Sequence, residues 1–357
     1  MRSITRAGRR PIALAAGLLL VAISAAPALA CGGLIGPNGA VNLLRTTTLA
    51  GYHDGVEHYV TAFQFAGGGG AFGSLTPLPG VPTSVEKGGD WTLQRLIRET
   101  DPVRERGALL SLDAAAAPAA SAEVLMEVTI DALDLTVLKG GAQEVGTWAT
   151  DHGFRLPPDA PEVLDFYAQR SPIFLAAAFD GDAAAARGQS VGDGTPVHIS
   201  IPTNNPWVPL RILSLGKTQS EVVQADVYML TDDSPAMLPY PDGSNGMTLQ
   251  HSAPASDQLL SDLRSDRGMD WIPDKGWLTK IAIDAEAPQL SYDLAVDVSG
   301  AKAPSRVAAG LEMPGATDPA VMAAIRWFAG MSFIGLGIGA VIWLIAKQRI
   351  DSGLRPA

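Results

Sequence analysis

The sequence predicts an α+β protein, with a mainly antiparallel, strand-rich ectodomain, a few short helices and one C-terminal transmembrane helix. Strand-like segments outnumber helix-like ones and do not alternate strictly with them, which favours α+β over a doubly wound sheet. Residues 1–30 show the succession of basic, apolar and small-residue regions that is typical of a secretory signal, and residues 327–346 form an uncharged apolar run. The signal and the apolar run together predict that the folded part of the chain lies outside the cytoplasm.

The N-terminal segment 1–30 is predicted to be a cleaved signal peptide. Arginines and no acids precede the apolar run 12–23, and small alanines then lead to a cleavage point after Ala30. The apolar run is too short to span a bilayer, so cleavage is favoured over anchoring. The pair Arg9 and Arg10 also fits part of a twin-arginine signal, so general and twin-arginine export both stay open.

Cys31 becomes the first residue of the mature chain if cleavage follows Ala30. It is the only cysteine of the 357 residues, so the chain forms no internal disulfide. Lipoprotein processing would attach diacylglycerol to Cys31, but Ala28 stands where a large aliphatic residue is usual, and Leu29 comes one place too late. Lipidation and simple cleavage are the two alternatives, and a lipid would add to a second anchor.

The predicted transmembrane helix, 327–346, contains no charged residue. At about 1.5 Å per residue it spans roughly 30 Å, the hydrocarbon thickness of a bilayer. Trp327 and Trp343 lie near its ends, where indole rings favour the interface. The following tail, 347–357, is basic and is therefore predicted to be cytoplasmic. The expected localisation is the cell membrane, single-pass, with the ectodomain outside.

Gly335 and Gly339 form a G-x-x-x-G pattern within this helix. Such a flat stripe allows two helices to approach closely, so a homodimer through the membrane is one interpretation. The other is that glycine is simply common in such helices.

The charge of the exported part restricts its partners. Of 26 basic and 37 acidic residues, eight basic and one acidic lie in the signal or beside the anchor, which leaves 18 basic and 36 acidic residues outside. An acidic surface repels phosphates, so nucleic acid and anionic lipid are excluded as partners. Two interpretations of the excess acid stay open, which are solubility outside the membrane and attraction of cations or basic partners. The candidate partners are another envelope protein or a glycan.

The exported part is assigned to one domain, 31–303, with a low-complexity stretch at 114–122 as a candidate sub-boundary. Residues 304–320 are rich in proline, glycine and alanine and are predicted to form a stalk with few packing contacts.

Ten strands are predicted from β-branched and apolar runs between turn residues. They cover 43–49, 58–65, 123–130, 133–138, 173–179, 197–201, 209–215, 222–230, 277–283 and 290–298, with a turn at Asp54 and Gly55 between the first two.

Four helices are predicted from apolar spacing and end signals. They cover 91–100, capped by Asp90; 145–152, stopped by Gly153 with Phe154 packing behind it; 161–169, with Asp159 and Glu162 as a capping box; and 257–264, capped by Ser256.

Catalytic motifs are weak. Ser190 lies in a G-x-S-x-G match at 188–192, but alanines and a loop surround it instead of the strand and helix that a nucleophile elbow needs. None of the five histidines has the spacing of a zinc site, so no metal ligand and no cofactor is assigned, and a metal site assembled by the fold stays open.

Several short segments together resemble a bacterial family of exported proteins, domain of unknown function 2330. They are Cys31-Gly32-Gly33 with Pro37-Asn38-Gly39, 75–82 (LTPLPGVP), 135–138 (LTVL), 148–157 (WATDHGFRLP) with Leu164, Phe166 and Tyr167, 207–212 (WVPLRI), 227–230 (VYML) and 277–280 (WLTK). Relatives often carry a second cysteine close after the first, where this chain has Gly36. The resemblance implies export and membrane association, and it implies no activity and no catalytic residue.

Two functional hypotheses follow. The first is a non-catalytic, membrane-tethered module that binds another envelope component, because the ectodomain is acidic and has no catalytic constellation. The second is an envelope hydrolase that uses Ser190 or an assembled Asp/His site. A pocket that brings Ser190 within reach of His152, His198 or His251 would favour the second.

Overall fold

The computed structural model describes residues 28–29, 33–36, 39–40, 45–64, 72–100, 123–179, 194–314 and 347. The predicted transmembrane segment and the stretch 114–122 lie outside these ranges. Among the described residues, no helix is both long and apolar enough to cross a membrane. The strand β1 (Ala28–Leu29) lies inside the predicted signal, so cleavage after Ala30 would remove it.

Three sheets make up the described part of the chain. The largest has the order β15-β16-β13-β4-β5-β11-β7, with β1 beside β4. Its strands are β4 (Arg45–His53), β5 (Val56–Gln64), β7 (Ser84–Lys87), β11 (Gly194–Pro202), β13 (Val222–Thr231), β15 (Met247–Pro254) and β16 (Trp277–Glu286). Only β4 with β13, and β1 with β4, pair in parallel, so the prediction of a mainly antiparallel, β-rich α+β protein is confirmed.

The second sheet has the order β3-β2-β6-β10-β9-β8, and the third has the order β12-β17-β14. The strands of the second are β2 (Gly33–Gly36), β3 (Gly39–Ala40), β6 (Phe72–Leu78), β8 (Glu123–Ile130), β9 (Leu133–Lys139) and β10 (Ile173–Phe179). Those of the third are β12 (Trp207–Val208), β14 (Ala236–Leu238) and β17 (Leu294–Asp297). Because β6 pairs with β10, chain from before and after 114–122 shares one sheet, so that stretch connects parts of one unit.

Four α-helices flank the sheets in the described part: α1 (Thr92–Thr100), α2 (Ala142–Asp151), α3 (Ala160–Ala168) and α4 (Asp257–Arg264). The larger core cluster combines side chains of all three sheets with α2 and α3. The smaller cluster lies between the large sheet and the pair α1 and α4. The large sheet is therefore covered on both faces.

Several local predictions are confirmed. Asp54 and Gly55 both have positive φ, 50° and 79°, as a tight turn between twisted strands requires. Gly153 ends α2 with φ 75°, and Phe154 behind it is buried. The Ser256 hydroxyl accepts a hydrogen bond from the Leu259 amide at 3.2 Å and so caps α4.

The predicted strand at 209–215 is wrong, because side chains take up the backbone groups that a ladder would need. Residues Arg211–Ser214 form a short 3-10 helix. The Asp293 carboxylate accepts from the amides of Leu210 and Arg211 at 2.7 and 3.1 Å, and the Tyr167 hydroxyl accepts from Ile212 at 2.8 Å.

The predicted capping box before α3 is also wrong. Asp159 makes no side-chain cap, and its carboxylate accepts from the Gly216 amide at 2.9 and 3.1 Å. Glu162 is paired with Arg211 instead. The start of α1 likewise depends on Asp266, which accepts from the Trp91 amide at 2.9 Å.

The first residues of the predicted stalk, 304–320, pack against the domain. Ala308 and Ala309 are buried, and the Ala309 carbonyl accepts from the Asp293 amide at 3.0 Å. Gly310 lies against the Phe166 ring so closely that a Cβ there would come within 2.2 Å of it. The boundary at 303 is therefore corrected, and the packed domain continues to at least residue 310.

Candidate functional site

A cleft of about 400 Å³ opens at one end of the large sheet. Since β4 and β13 run parallel, their last residues, Tyr52 and Thr231, lie side by side. The antiparallel strand β16 starts at the same place, where Trp277 pairs with Thr231. The loop after β13 supplies Asp232, Asp233 and Ser234, and the chain after β17 supplies Val298, Gly300 and Lys302.

Two aromatic side chains, Tyr52 and Trp277, line this cleft, and the polar group of each is held by a hydrogen bond. The Tyr52 hydroxyl donates to the Thr203 carbonyl at 3.0 Å, and the Trp277 indole N–H donates to the Ser252 hydroxyl at 2.9 Å. Burial first, and then the charges of Glu57 and Asp232, raise the pKa of Tyr52, so the phenol stays protonated and keeps this bond. The rings are therefore held in place before any ligand arrives.

Carboxylates outnumber amines in the cleft. Asp232, Asp233 and Asp297 line it, and Lys302 is the one basic residue in its described lining. Hydrogen bonds from Ser299, first from its hydroxyl, lower the pKa of Asp297, which therefore remains ionised. Asp232 Oδ1 lies 2.7 Å from His53 Nδ1. The cleft therefore has a negative potential that favours cations.

Glu57 lies in a second space next to the cleft. It faces Tyr52 across the β4–β5 hairpin, is only 1% exposed, and lines a partly open cavity of about 10 Å³. Neither carboxyl oxygen has a hydrogen-bond partner among the described residues, although the Trp207 amide faces the group. Burial raises the pKa of Glu57 to about 8, and the Trp207 amide opposes this shift. Tyr52 and Thr231 line both the cavity and the cleft.

A histidine pair occupies the opposite face of the same sheet, because successive residues of a strand point to opposite sides. His58 Nδ1 lies 2.9 Å from His198 Nε2, and the Trp271 ring stacks on His58 with a centroid separation of 4.0 Å. Gly51 allows this stack, since a Cβ there would lie 2.1 Å from the indole.

Both histidines of this pair are neutral at pH 7. Burial, then His198 and then His53, lower the pKa of His58 to about 3. Burial lowers that of His198 to about 4, against a backbone hydrogen bond to Gly268. One ring therefore donates to the other as a structural contact. Within the described ranges, no group of three or more His, Cys, Asp or Glu side chains could hold a metal ion.

The residues singled out from sequence are mostly not in the cleft. Cys31, Ser190, Gly335 and Gly339 lie outside the described residues. His152 packs on Trp148 with its Nδ1 2.8 Å from the Trp148 carbonyl, so its role is structural. His251 lies on the edge strand β15, opposite Lys280. The structure thus leaves the Ser190 hypothesis untested.

Sequence reasoning missed Glu57 and the cleft aspartates. In β5 the inward positions include Glu57, Tyr59 and Thr61, so an acid occupies a place that the alternation assigns to the core. That mismatch was the available signal. The sequence held no comparable sign that Tyr52, Trp277 and the loop after β13 would meet.

A family model for a conserved bacterial protein described as uncharacterised, DUF2330, matches residues 25–240. The chain belongs to this family. The match ends before β15, β16 and β17, although β16 pairs along the whole of β13. No protein of curated function matches the sequence significantly.

Two matches of this DUF2330 protein among solved structures are to baculovirus P35. The crystal structure of baculovirus P35 is 10% identical, with 71% of this chain and 96% of that chain covered and a TM-score of 0.36. P35 in its crystal structure with caspase-8 is also 10% identical, with 71% and 90% covered and a TM-score of 0.33. Likeness at this level bears on neither fold nor function.

Proposed function

We propose that this DUF2330 protein is a membrane-tethered, extracytoplasmic binding module whose cleft takes basic side chains of another envelope protein. One observation carries the proposal: three carboxylates and a single lysine line the same cleft as two aromatic rings that are already held by hydrogen bonds. A lysine or arginine side chain gains both Coulomb attraction and cation–π contact in such a cleft.

The acidity of the whole exported part supports a basic partner. Its 36 acidic and 18 basic residues steer cations toward the protein and repel phosphates. Fixed ring faces also suit sugars, whose hydroxyls donate hydrogen bonds to carboxylates, but a neutral glycan gains no Coulomb attraction from them. The charge of the cleft therefore favours a basic protein segment over a glycan.

A hydrolase is the second candidate, because Asp232 contacts His53 at 2.7 Å as an orienting acid contacts a catalytic base. The other ring nitrogen, His53 Nε2, lies 3.5 Å from the Asp54 carboxylate instead of a hydroxyl or thiol. With a carboxylate at Nε2, His53 has no nucleophile there to activate, so binding is favoured over catalysis.

The binding proposal predicts that Asp232→Asn combined with Asp233→Asn weakens binding of a lysine-rich peptide by about tenfold or more, since each lost ion pair removes on the order of 1 kcal/mol. Calorimetric titration of the purified full chain in detergent measures this. Asp257→Asn with Glu127→Gln, which neutralises two exposed acids on α4 and β8, is the matched control and should bind normally. Equal binding by the cleft variant, or tighter binding of a neutral oligosaccharide, would contradict the proposal.

The tether is proposed from residues 1–30 and 327–346. Protease added to intact spheroplasts is expected to digest the ectodomain and to leave a protected fragment that contains residues 327–357, because the basic tail favours the cytoplasmic side. Immunoblotting with a tag after residue 357 detects that fragment. Full protection of the ectodomain would contradict the topology. A diacylglycerol mass increment on the N-terminal peptide would show that Cys31 is lipidated.

A further inference from the structure

The buried carboxyl group of Glu57 is not explained by cation binding in the cleft alone. Its carboxyl group is buried, and neither oxygen makes a hydrogen bond of ordinary geometry in the described part of the chain, although the Trp207 amide faces the group. Burying a polar group without a partner is unfavourable, and native structures seldom contain one. Something that donates hydrogen bonds is therefore expected in the adjoining cavity.

The cavity limits what that donor can be. A volume of about 10 Å³ holds one water-sized group. A primary ammonium group has this size and carries three N–H donors, whereas a guanidinium is a wider planar fork. The remaining walls include Trp207, Val208, Met229 and Val296, which are apolar and would strengthen an ion pair with Glu57.

The position of the cavity connects it to the cleft. Tyr52 and Thr231 line both spaces, so a group that passes between them leaves the acidic cleft and meets Glu57. The four-carbon stem of a lysine could lie along the ring of Tyr52 while its end reaches inward.

We propose that Glu57 is an inner subsite for a primary ammonium group, which makes the cleft selective for lysine-type amines over arginine. This inference rests on the proposed cation-binding function of the cleft.

The proposal requires that the Glu57 carboxyl group lose its proton when the amine binds. Burial raises the pKa of Glu57 to about 8, so at pH 6.5 the empty site holds a protonated carboxyl. An incoming R–NH3⁺ pairs with the carboxylate, and the carboxyl proton goes to solvent, so that charge and protons balance. Tyr52 is the other titratable side chain of the cavity lining, and its pKa is raised, so it keeps its proton. Asp232 lies beyond it in the cleft and contacts His53.

The test is calorimetric titration of the full chain in detergent with butylamine at pH 6.5, in two buffers of different ionisation enthalpy. We expect release of close to one proton per amine bound. Glu57→Gln should bind butylamine about tenfold more weakly or worse and should release no proton, because the amide cannot form the ion pair. Glu127→Gln, an exposed glutamate on β8, is the matched control and should behave as the wild type.

Size selectivity gives an independent readout. Tetramethylammonium has the charge without N–H donors and is too large for the cavity, and butanol has the stem without the charge, so neither should compete with butylamine. Amine binding without proton release, or an unchanged Glu57→Gln variant, would overturn the subsite. If the lysine-rich peptide still binds and still depends on Asp232 and Asp233, the cleft proposal survives that result. If neither peptide nor amine binds, both proposals fail.

Discussion

Asp293→Ala is expected to lower the free energy of unfolding by about 3–5 kcal/mol, since it leaves a buried cation without its partner. The side chains of Arg170 and Asp293 are almost fully buried, and Arg170 Nη2 lies 2.5 Å from Asp293 Oδ2. Asp293 also accepts from the Tyr167 hydroxyl at 2.8 Å and from the amides of Leu210 and Arg211. Removing the carboxylate therefore frees four donors at once.

Arg170 extends this network to the end of the domain. Its guanidinium donates to the Ala308 carbonyl at 2.5 Å and lies over the Phe166 ring, 4.0 Å from the centroid. Burial, followed by the charge of Asp293, raises the pKa of Tyr167 well above its usual value, so its hydroxyl remains a donor to Asp293. Loss of Asp293 should therefore loosen both the 3-10 helix at Arg211–Ser214 and the chain near residue 308.

Urea denaturation of the purified full chain measures the effect of Asp293→Ala. Glu123→Ala is the control, because its ion pair with Lys139 is exposed, with side chains 63% and 48% accessible, and such pairs contribute about 1 kcal/mol or less. Similar losses for the two variants would show that the Asp293 network does not hold the domain together.

Glu57→Gln is expected to stabilise the protein above neutral pH. The folded state raises the pKa of Glu57 from 4.5 to about 8, so between these values the folded state binds more protons than the unfolded state. Stability from this group is therefore intact below pH 4.5 and falls as pH rises toward 8. At about 1.4 kcal/mol per pKa unit, the accumulated loss is on the order of 4 kcal/mol near pH 8.

Glutamine cannot ionise, so the variant escapes this loss. The difference in unfolding free energy between Glu57→Gln and the wild type should be near zero at pH 4.5 and should grow steadily up to pH 8. Comparing both proteins at each pH cancels the opposite contribution of His58 and His198, whose lowered pKa values stabilise the fold above pH 6.5 and destabilise it as pH falls. A pH-independent difference would show that Glu57 does not titrate as a buried group.

Local sequence patterns predicted the elements whose conformation is set by a few neighbouring residues. The turn at Asp54 and Gly55, the cap at Ser256 and the stop at Gly153 all depend on the conformational freedom or the side-chain oxygen of one residue. The strand β10, 173–179, was predicted at its observed bounds because its apolar run is continuous. The family resemblance was equally readable, since it depends on residue order alone.

Predictions failed where partners distant in sequence compete for a segment. The residues at 209–215 look strand-like, but Asp293, about eighty positions away, takes their amides. The strand β15 was missed because its inward positions include His251 and Ala253, which are weak apolar signals, and its pairing with β16 supplies the rest.

The sequence by itself determined the family, the acidic composition, the α+β class and most strand positions, because these depend on residue types and short-range order. It also carries the export and anchoring predictions, which rest mostly on residues outside those the structure describes. Only the tertiary structure decided that the ends of β4, β13 and β16 meet in one acidic cleft, and that Glu57 lies buried beside it. The physical reason is that strand pairing joins residues as far apart as Tyr52 and Thr231, which are 179 positions apart, and no local pattern encodes which strands become neighbours.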